Sequence, residues 1–529
     1  MIKTLKIESI LDGHSQTQYI SGEGTFDSSI AIDPDFPVGS NTKTSGVLVP
    51  VRYAKFSGTE LTGFPLWIIT NTKTTNSFVY TSDGKIHSFD SSLAMRATDE
   101  ATTALPISIT GGAGNGAAYY NNYVYFAEAT DVTRYGPLSG GTVAKTENVW
   151  TGATLGSLAA LTNTTYPSIR GVSIPNHPMH VHTDASLYFG DVVAGQGVVH
   201  RINTRKVTVE GDTNGNTVPS AFNVLDLPFG YYPTDIESYG TDLVIAAIQS
   251  TDTTINQGNA VLFFWDPTNT DSFYRQVPLP DPLCTALKNV NGILYIWSGN
   301  ASSGCRISRY IGGDTVSDEA YIEDGVPPFA GAVDALGSRL VHGGYTTYPV
   351  ASASVTAFGS KNDLLPKGVQ NIVKTSSAGS SPIVTCLKYV QQASNIQPKL
   401  VVGWKDASTQ GLDKISTSAT YGSVFRSKIF NINRQFVVKK IRIPLAGTVD
   451  ANTSIIPKLL VDDQSDSLTL NTINNTNFSG KRKAVYEAGE FETLRPENNF
   501  MLELTWGGTT EMPVLLPIEI DVDISEEDQ

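Results

Sequence analysis

Three histidines near the middle of the chain are the residues best suited to bind a metal ion. They lie in the segment Asn176-His177-Pro178-Met179-His180-Val181-His182. Alternate residues of a strand share a face, so His180 and His182 would lie side by side, and His177 could reach them from the preceding turn. Three imidazoles could hold a zinc-type ion. No Asp, Glu or Cys stands at a supporting spacing, so we favour half-buried strand histidines and predict no metal and no cofactor.

One acidic segment has the alternating oxygen ligands of a calcium loop. It is Asp212-Thr213-Asn214-Gly215-Asn216-Thr217. Thr217 occupies the position where such a loop needs glycine, and Asn223 stands where a bidentate glutamate is required. A polar hairpin turn is therefore the favoured interpretation.

Three carboxylates are the candidate acid and base groups of an enzyme. Asp235, Glu237 and Asp334 lie on strands that we expect to line a central channel. Glycoside hydrolysis uses such pairs, but the separation that it requires cannot be inferred from sequence. The chain contains no G-x-S-x-G and no H-E-x-x-H motif, and a turn similar to those repeated in sialidases occurs once, at 81–85. The sequence predicts a protein that is not an enzyme.

Two kinds of surface group could contact partners. The aromatic pairs Tyr119-Tyr120 and Tyr231-Tyr232, and Tyr345 with Tyr348, could stack on sugar rings, although packing between sheets is the favoured role. The basic groups at 439–442 and 481–483 could dock an acidic neighbour, although solvated strand edges are favoured for them.

Composition excludes several classes of protein. The net charge of −14 argues against a grip on duplex nucleic acid, which depends on lysine and arginine neutralising phosphates. No apolar run is long enough to span a membrane as a helix, so we predict no membrane insertion. Three cysteines in 529 residues predict no disulfide framework. The N-terminal sequence alternates apolar and polar residues like a strand, which predicts synthesis in the cytoplasm without a secretory signal.

A unit of short strands and turns recurs about every 53 residues between 46 and 418, slightly longer than familiar propeller repeats. Each copy has a very apolar strand after a polar turn, and most have another strand after it. No helical pattern separates the copies. Small sheets that cannot bury both faces alone stack around an axis, so the repeat predicts a β-propeller of about seven blades. The apolar anchors are Leu66-Trp67-Ile68-Ile69, Val124-Tyr125-Phe126, Leu187-Tyr188-Phe189, Leu243-Val244-Ile245, Leu294-Tyr295-Ile296-Trp297, Leu340-Val341 and Leu400-Val401-Val402.

The pattern changes near residue 419. Longer alternating strands without the repeat follow, such as 436–443 and 514–522, and they predict a C-terminal antiparallel β-sandwich over 419–529. Residues 1–45 are rich in Gly, Ser and Thr, and we interpret them as an N-terminal arm that packs on the propeller or on a neighbouring molecule. The prediction is thus an all-β chain with an arm at 1–45, a propeller at 46–418 and a sandwich at 419–529.

Two segments carry a resemblance to a known group of proteins. Gly422-Ser423-Val424-Phe425-Arg426-Ser427-Lys428-Ile429-Phe430 with 436–443 resembles virion proteins of tailed bacteriophages in which a β-propeller precedes a C-terminal sandwich. The opening segment 30–46 is similar to the N-terminal arms of the same proteins. The resemblance implies a tail, neck or baseplate part located in the virion and assembled in the host cytoplasm.

The sequence is compatible with three functions. The first is a structural virion protein that acts as a rigid adaptor or spacer. Its partners would be other virion tail proteins and further copies of itself in a symmetric homo-oligomer, and host glycans could be contacted during attachment. The second is a carbohydrate-binding or carbohydrate-cleaving propeller. The third is a bacterial cell-surface adhesion protein, which a secretion signal would have favoured.

Overall fold

The computed structural model contains almost only β-strands. Its helices, within the residues that it describes, are single turns at Ala330–Ala332, Asn475–Phe478 and Ala488–Phe491. The prediction of an all-β fold is confirmed. The described residues are 2–8, 13–14, 25–33, 47–56, 61–70, 77–98, 104–109, 111–138, 144–146, 161, 168–173, 176–203, 220–249, 259–301, 304–323, 325–346, 352–359, 370–377, 381–391, 398–416, 422–432, 434–462, 464, 466–491 and 498–524.

Seven four-stranded antiparallel sheets follow one another along the described part of the chain, and we number them sheets 1–7. Sheets 1–4 consist of Pro65–Thr70, Ser77–Thr81, Lys85–Phe89, Ile107–Ser108; Ala113–Tyr120, Tyr123–Glu128, Val132–Gly136, Ala144–Thr146; Met179–Val181, Leu187–Val193, Gln196–Ile202, Ser220–Phe229; and Tyr232–Tyr239, Asp242–Ile248, Val261–Trp265, Arg275–Pro278. Sheets 5–7 consist of Leu283–Val290, Ile293–Gly299, Cys305–Gly312, Thr315–Ile322; Val333–Leu336, Arg339–Thr346, Ser352–Phe358, Gln370–Lys374; and Ile383–Val390, Lys399–Lys405, Gln410–Ile415, Tyr53–Lys55.

The first strands of these sheets contact one another in cyclic order. Sheet 1 contacts sheet 2, each later sheet contacts the next, and the first strand of sheet 7 returns to that of sheet 1. The first strands therefore surround a common axis, which is the arrangement of a propeller. Both faces of a sheet are covered by its neighbours, and Val261–Trp265 is accordingly buried at every position.

In sheets 2, 4, 5 and 6 a two-residue polar turn connects the first and second strands, as the sequence predicts. Asn121 and Asn122 both have positive φ (43° and 71°), and so do Asn291 (53°) and Gly292 (81°). Two successive residues with positive φ form the type I′ turn whose twist suits a two-residue hairpin, and Asn and Gly adopt it most readily. These turns fix the register of the paired strands and hence which residues face the axis.

In sheet 1 the predicted apolar anchor lies on a different strand from the anchors of the other sheets. Leu66-Trp67-Ile68-Ile69 was expected to match the other apolar anchors, which all lie on second strands. That expectation is wrong, because Pro65–Thr70 is a first strand and Ser77–Thr81 is the second. The first strand is as apolar as the second here because it is buried between sheets 7 and 2.

The remaining sheets combine both ends of the chain. Sheet 8 has the order Ile2–Ile7, Ile518–Ile524, Phe436–Pro444, Lys483–Glu487. Sheet 9 has the order Gly13–His14, Thr25–Ile30, Val424–Ser427, Asn499–Trp506, Ile455–Val461, Asp466–Thr469, with Phe430–Asn431 also pairing to Asn499–Trp506. Val47–Leu48 pairs with Val514–Leu515 in a short ribbon.

The predicted N-terminal arm is not a separate unit where the structure describes it. Ile2–Ile7 pairs with Ile518–Ile524, and Thr25–Ile30 pairs with Val424–Ser427. Ile7 and Phe26 belong to the same buried core as the C-terminal strands. Alternating apolar and polar residues allow a strand to bury one face, and the two N-terminal strands do so as members of sheets 8 and 9. No helix among the described residues is long and apolar enough to cross a membrane.

Candidate functional site

One residue from each first strand occupies the same register position around the axis. Each pairs with a residue near the start of the second strand of its sheet: Glu237 pairs with Val244, for example, and Lys288 with Tyr295. We call this set the inner row. In the order of sheets 1–7 it is Ile69, Ala118, His180, Glu237, Lys288, Asp334 and Lys388.

Basic and acidic side chains alternate along five members of the inner row. His180 Nε2 lies 3.5 Å from Glu237 Oε1, and Lys388 Nζ lies 2.9 Å from Asp334 Oδ1. Lys288 stands between the two carboxylates. Burial lowers the pKa of its ammonium, but Glu237, Asp334 and Asp235 raise the pKa more, so the net shift is upward. Each charged side chain therefore attracts one on the adjacent sheet.

Two of the predicted histidines converge on a serine. Ser238 Oγ lies 2.7 Å from His180 Nε2 and 2.8 Å from His182 Nδ1. His182 Nε2 lies 3.1 Å from the carbonyl oxygen of Thr241, which can only accept. His182 therefore carries its proton on Nε2 and accepts the Ser238 hydroxyl through Nδ1, while His180 Nε2 donates to Ser238 Oγ. Burial lowers the pKa of both imidazoles, which keeps them neutral at pH 7.

His177 does not join the other two histidines. Its ring nitrogens lie 3.2 Å and 3.3 Å from the carbonyl oxygens of Gly190 and Ala129, and its Nδ1 lies 3.6 Å from Asp191 Oδ1. Pro178 and Met179, where the strand begins, separate His177 from the face that carries His180 and His182. Across the described ranges, no three His, Cys, Asp or Glu side chains are grouped so that they could hold a metal ion.

Asp235 is a buried carboxyl group that holds two sheets together. Its Oδ2 accepts the backbone N–H of Leu287 on sheet 5 at 2.7 Å, and its Oδ1 accepts that of Ile236 at 2.9 Å. Burial raises its pKa to about 8, with a smaller contribution from Glu237, and outweighs the opposing effect of the two donors. Asp235 is thus protonated at neutral pH and serves as an acceptor between strands.

This shift predicts how stability depends on pH. The carboxyl ionises near pH 4 in the unfolded chain and near pH 8 in the folded chain. Its contribution to stability is therefore complete below about pH 4 and is lost as the pH rises toward about 8. Asp235→Asn keeps an acceptor without the ionisation, so we expect its melting temperature relative to wild type to be higher at pH 9 than at pH 5. Thermal melts at both values measure the difference, and a difference independent of pH would show that the carboxyl is ionised throughout.

A second polar chain crosses the first strands closer to where they begin. Trp67 Nε1 donates to Asn115 Oδ1 and Asn115 Nδ2 donates to Asn176 Oδ1, each at 2.7 Å. Asn176 Nδ2 donates to the carbonyl of Thr234 at 3.2 Å. Beside this chain lies a cavity of about 50 Å³. That volume accommodates a few water molecules, whereas ligand pockets measure about 300–1,000 Å³.

The arrangement around the axis does not have the geometry of a nucleophilic enzyme. A serine nucleophile needs a base whose far nitrogen is oriented by a carboxylate. Glu237 instead approaches the same nitrogen of His180 that bonds Ser238, and the far nitrogen of His182 faces a backbone carbonyl. Asp334 pairs with Lys388, and Glu237 lies 3.5 Å from the neutral imidazole of His180. The described polar groups on the inner strands link neighbouring sheets.

The other surface candidates also have internal partners. The Tyr120 ring packs on Tyr125, and Tyr231 packs edge-on against Phe263. Lys440 pairs with Glu487 at 2.7 Å, and Arg442 with Asp521 at 2.7 Å. The acidic segment 212–217 and Tyr348 lie outside the described residues.

Lys288 and Lys388 are the members of the inner row that sequence reasoning missed. Lys288 lies six residues before the anchor that begins at Leu294, as Glu237 lies six before Leu243, so aligning these copies on their anchors would have placed both on the same level. Lys388 lies twelve residues before Leu400, so the same alignment would have missed it. The residues predicted as candidates were carboxylates and histidines, because those residue types suggest catalysis. The alternation of charge becomes visible only when the sheets are arranged around the axis.

Comparisons with known proteins give no family assignment. No family model matches the chain, and no curated protein matches it. The WD40 β-propeller domain of Doa1 aligns with a TM-score of 0.40 and 11% identity over 69% of this chain and 97% of that one. The β-propeller domain of Cps50 (Swd1) from Myceliophteria thermophila gives 0.41 and 10% over 68% and 99%, and the Dos1 propeller gives 0.41 and 12% over 71% and 96%. The strand pairing described above, rather than these alignments, shows the fold.

Proposed function

We propose that the chain is a structural, non-enzymatic virion protein of a tailed bacteriophage, a part of the tail, neck or baseplate that acts as a rigid adaptor or spacer. In this proposal sheets 1–7 are the blades of a seven-bladed propeller, and sheets 8 and 9 form the β-sandwich that follows it. Its partners are other tail proteins and further copies of the same chain arranged by symmetry. Attachment to a host surface would be a secondary role.

The observation that carries the proposal is the use of the polar groups around the axis. His180, Glu237, Asp334 and Lys388 bond or pair between neighbouring sheets, and the adjacent cavity measures about 50 Å³. An enzyme of this architecture would need free acid and base groups facing a pocket of substrate size. Because these side chains hold neighbouring sheets together, they favour a ring that resists deformation, as a spacer requires.

Two further features support an assembly role. Segments 422–430 and 436–443 carry the resemblance to virion proteins, and they contribute strands to sheets 8 and 9. Asp33 forms a buried ion pair with Arg339 of sheet 6. This contact joins the strands at the chain ends to the ring, so a load on sheets 8 and 9 would be passed to sheets 1–7.

The oligomeric state of the purified chain tests the proposal. We expect closed oligomers of one symmetry, measured as a single molar mass by light scattering on a size-exclusion column and as rings by negative-stain electron microscopy. The same samples should bind no glycan on an array and hydrolyse no oligosaccharide. A chain that remains monomeric at all concentrations and cleaves oligosaccharides would contradict the proposal and support the carbohydrate-active alternative.

A further inference from the structure

A short hairpin closes one end of the axis. Ile169 and Val172 pair with each other, and Arg170 (φ 48°) and Gly171 (φ 77°) form the tip of a type I′ turn. Ile169 and Val172 pack in one apolar cluster with Val326 and Ile383, which belong to the far side of the ring. Ile383 begins the first strand of sheet 7. The hairpin therefore crosses the end of the axis at which the first strands begin.

Two cationic side chains stand at the tip of this hairpin: Arg170 belongs to it, and Lys405 contacts Gly171. The Arg170 guanidinium carbon lies 3.4 Å from the centroid of the Tyr345 ring, and Arg170 Nε is buried without a hydrogen-bond acceptor. Lys405 Nζ lies 3.4 Å from the carbonyl oxygen of Gly171 and 5.0 Å from the centroid of the Phe64 ring. Neither cation has a carboxylate partner within 4 Å in the ranges that the structure describes.

We propose that Arg170 and Lys405 bind the carboxylates of an acidic segment of a partner protein. A guanidinium held flat on an aromatic ring keeps its N–H edge free and correctly oriented for a carboxylate, while a lysine supplies a second, more adaptable charge. The chain as a whole carries −14, so Arg170 and Lys405 form a local positive contrast that would attract an acidic segment. This inference names the partner chemistry of the assembly role and rests on that proposed function.

Other anions fit this pair less well. A sugar acid would stack its ring on an aromatic face, but Tyr345 is covered by Arg170 and the Phe64 ring by Lys405. A nucleic acid would need a row of cations along its phosphates, whereas two stand here on an acidic protein. An acidic peptide needs only two carboxylate side chains, one to pair with Arg170 and one to pair with Lys405.

Binding of a fluorescein-labelled oligoglutamate peptide to the full chain tests the inference. At low ionic strength, fluorescence anisotropy should show saturable 1:1 binding that weakens as salt is added. Losing charged hydrogen bonds should raise the Kd about tenfold or more in the Arg170→Gln, Lys405→Gln double variant. Lys481→Gln is the matched control, because Lys481 also lies over a phenylalanine ring, 5.6 Å from that of Phe478, but in the C-terminal part of the chain.

The outcomes are distinct. Oligoglutamine of the same length should not bind, and thermal melts should show that all variants are folded. Equal affinity of wild type and double variant, a larger loss in Lys481→Gln, or tighter binding of oligogalacturonate or inorganic phosphate than of oligoglutamate would overturn the inference. Closed oligomers that fail to bind oligoglutamate would overturn it while leaving the assembly role intact, whereas a monomer that binds the peptide would support the site and contradict the assembly role.

Discussion

Arg339→Ala is expected to lower the free energy of unfolding by about 3–5 kcal/mol, the cost of leaving one member of a buried ion pair without its partner. Arg339 Nη2 lies 2.7 Å from Asp33 Oδ1, and Nη1 lies 3.1 Å from Oδ2, so the pair is bidentate. The arginine side chain is 1% exposed and the aspartate 9%. Denaturant unfolding followed by tryptophan fluorescence measures the loss.

An exposed ion pair of the same chain provides the control. Lys440 Nζ also lies 2.7 Å from its carboxylate partner, Glu487, but these side chains are 31% and 64% exposed. Lys440→Ala should therefore cost less than about 1 kcal/mol, because water screens the pair and replaces it when it is broken. Similar losses in the two variants would show that burial of Asp33 and Arg339 does not determine the energy of their contact.

This ion pair also shows what could not be predicted from the sequence. Asp33 and Arg339 are 306 positions apart, and Asp33 was assigned to an arm outside the ring. A buried charge on a predicted hairpin gives no indication of which distant residue neutralises it. The same holds for Tyr53–Lys55, which completes sheet 7 by pairing with Gln410–Ile415. Contacts between chain ends depend on the closed three-dimensional arrangement, which local pattern does not encode.

Local pattern did predict the repeated unit. The hairpins at Asn121-Asn122 and Asn291-Gly292 form because these residues tolerate positive φ, a property that can be read directly from sequence. The apolar second strands follow from burial on both faces. Sheet 1 departs from this rule because its first strand is as apolar as its second, and hydrophobicity alone cannot tell the two apart.

The candidate site could be predicted only in part, because the period of a strand assigns residues to a face but does not identify their neighbours on other sheets. The two-residue period correctly places His180 and His182 on one face, where both contact Ser238. It cannot place His177, which precedes the strand, and it cannot show that Ser238 comes from the next sheet. Asp235 and Glu237 lie on an inner strand as expected, but their partners Leu287 and His180 belong to the two flanking sheets.

In sheets 3, 6 and 7 the contact with the next sheet depends on a glycine in the second strand, a signal that hydrophobic patterning overlooks. Gly403 lies three residues after the start of the anchor Leu400-Val401-Val402, and Gly190 and Gly343 occupy the same place in their repeats. A Cβ atom on Gly403 would lie 2.7 Å from Pro65 Cγ of sheet 1, and one on Gly190 would lie 2.8 Å from Pro233 Cγ of sheet 4. The next sheet approaches at these positions because no side chain is present.

Gly403→Ala is therefore expected to lower the free energy of unfolding by about 1–3 kcal/mol through overpacking where sheet 7 meets sheet 1. The added Cβ would collide with Cys386 Sγ as well as with Pro65, and both neighbours are buried. Gly344→Ala is the matched control, since Gly344 is also a buried strand glycine but its Cβ would find no atom closer than 3.8 Å. Denaturant midpoints of the two variants should separate clearly, and an equal shift would mean that sheets 7 and 1 do not meet as closely at Gly403 as the structure places them.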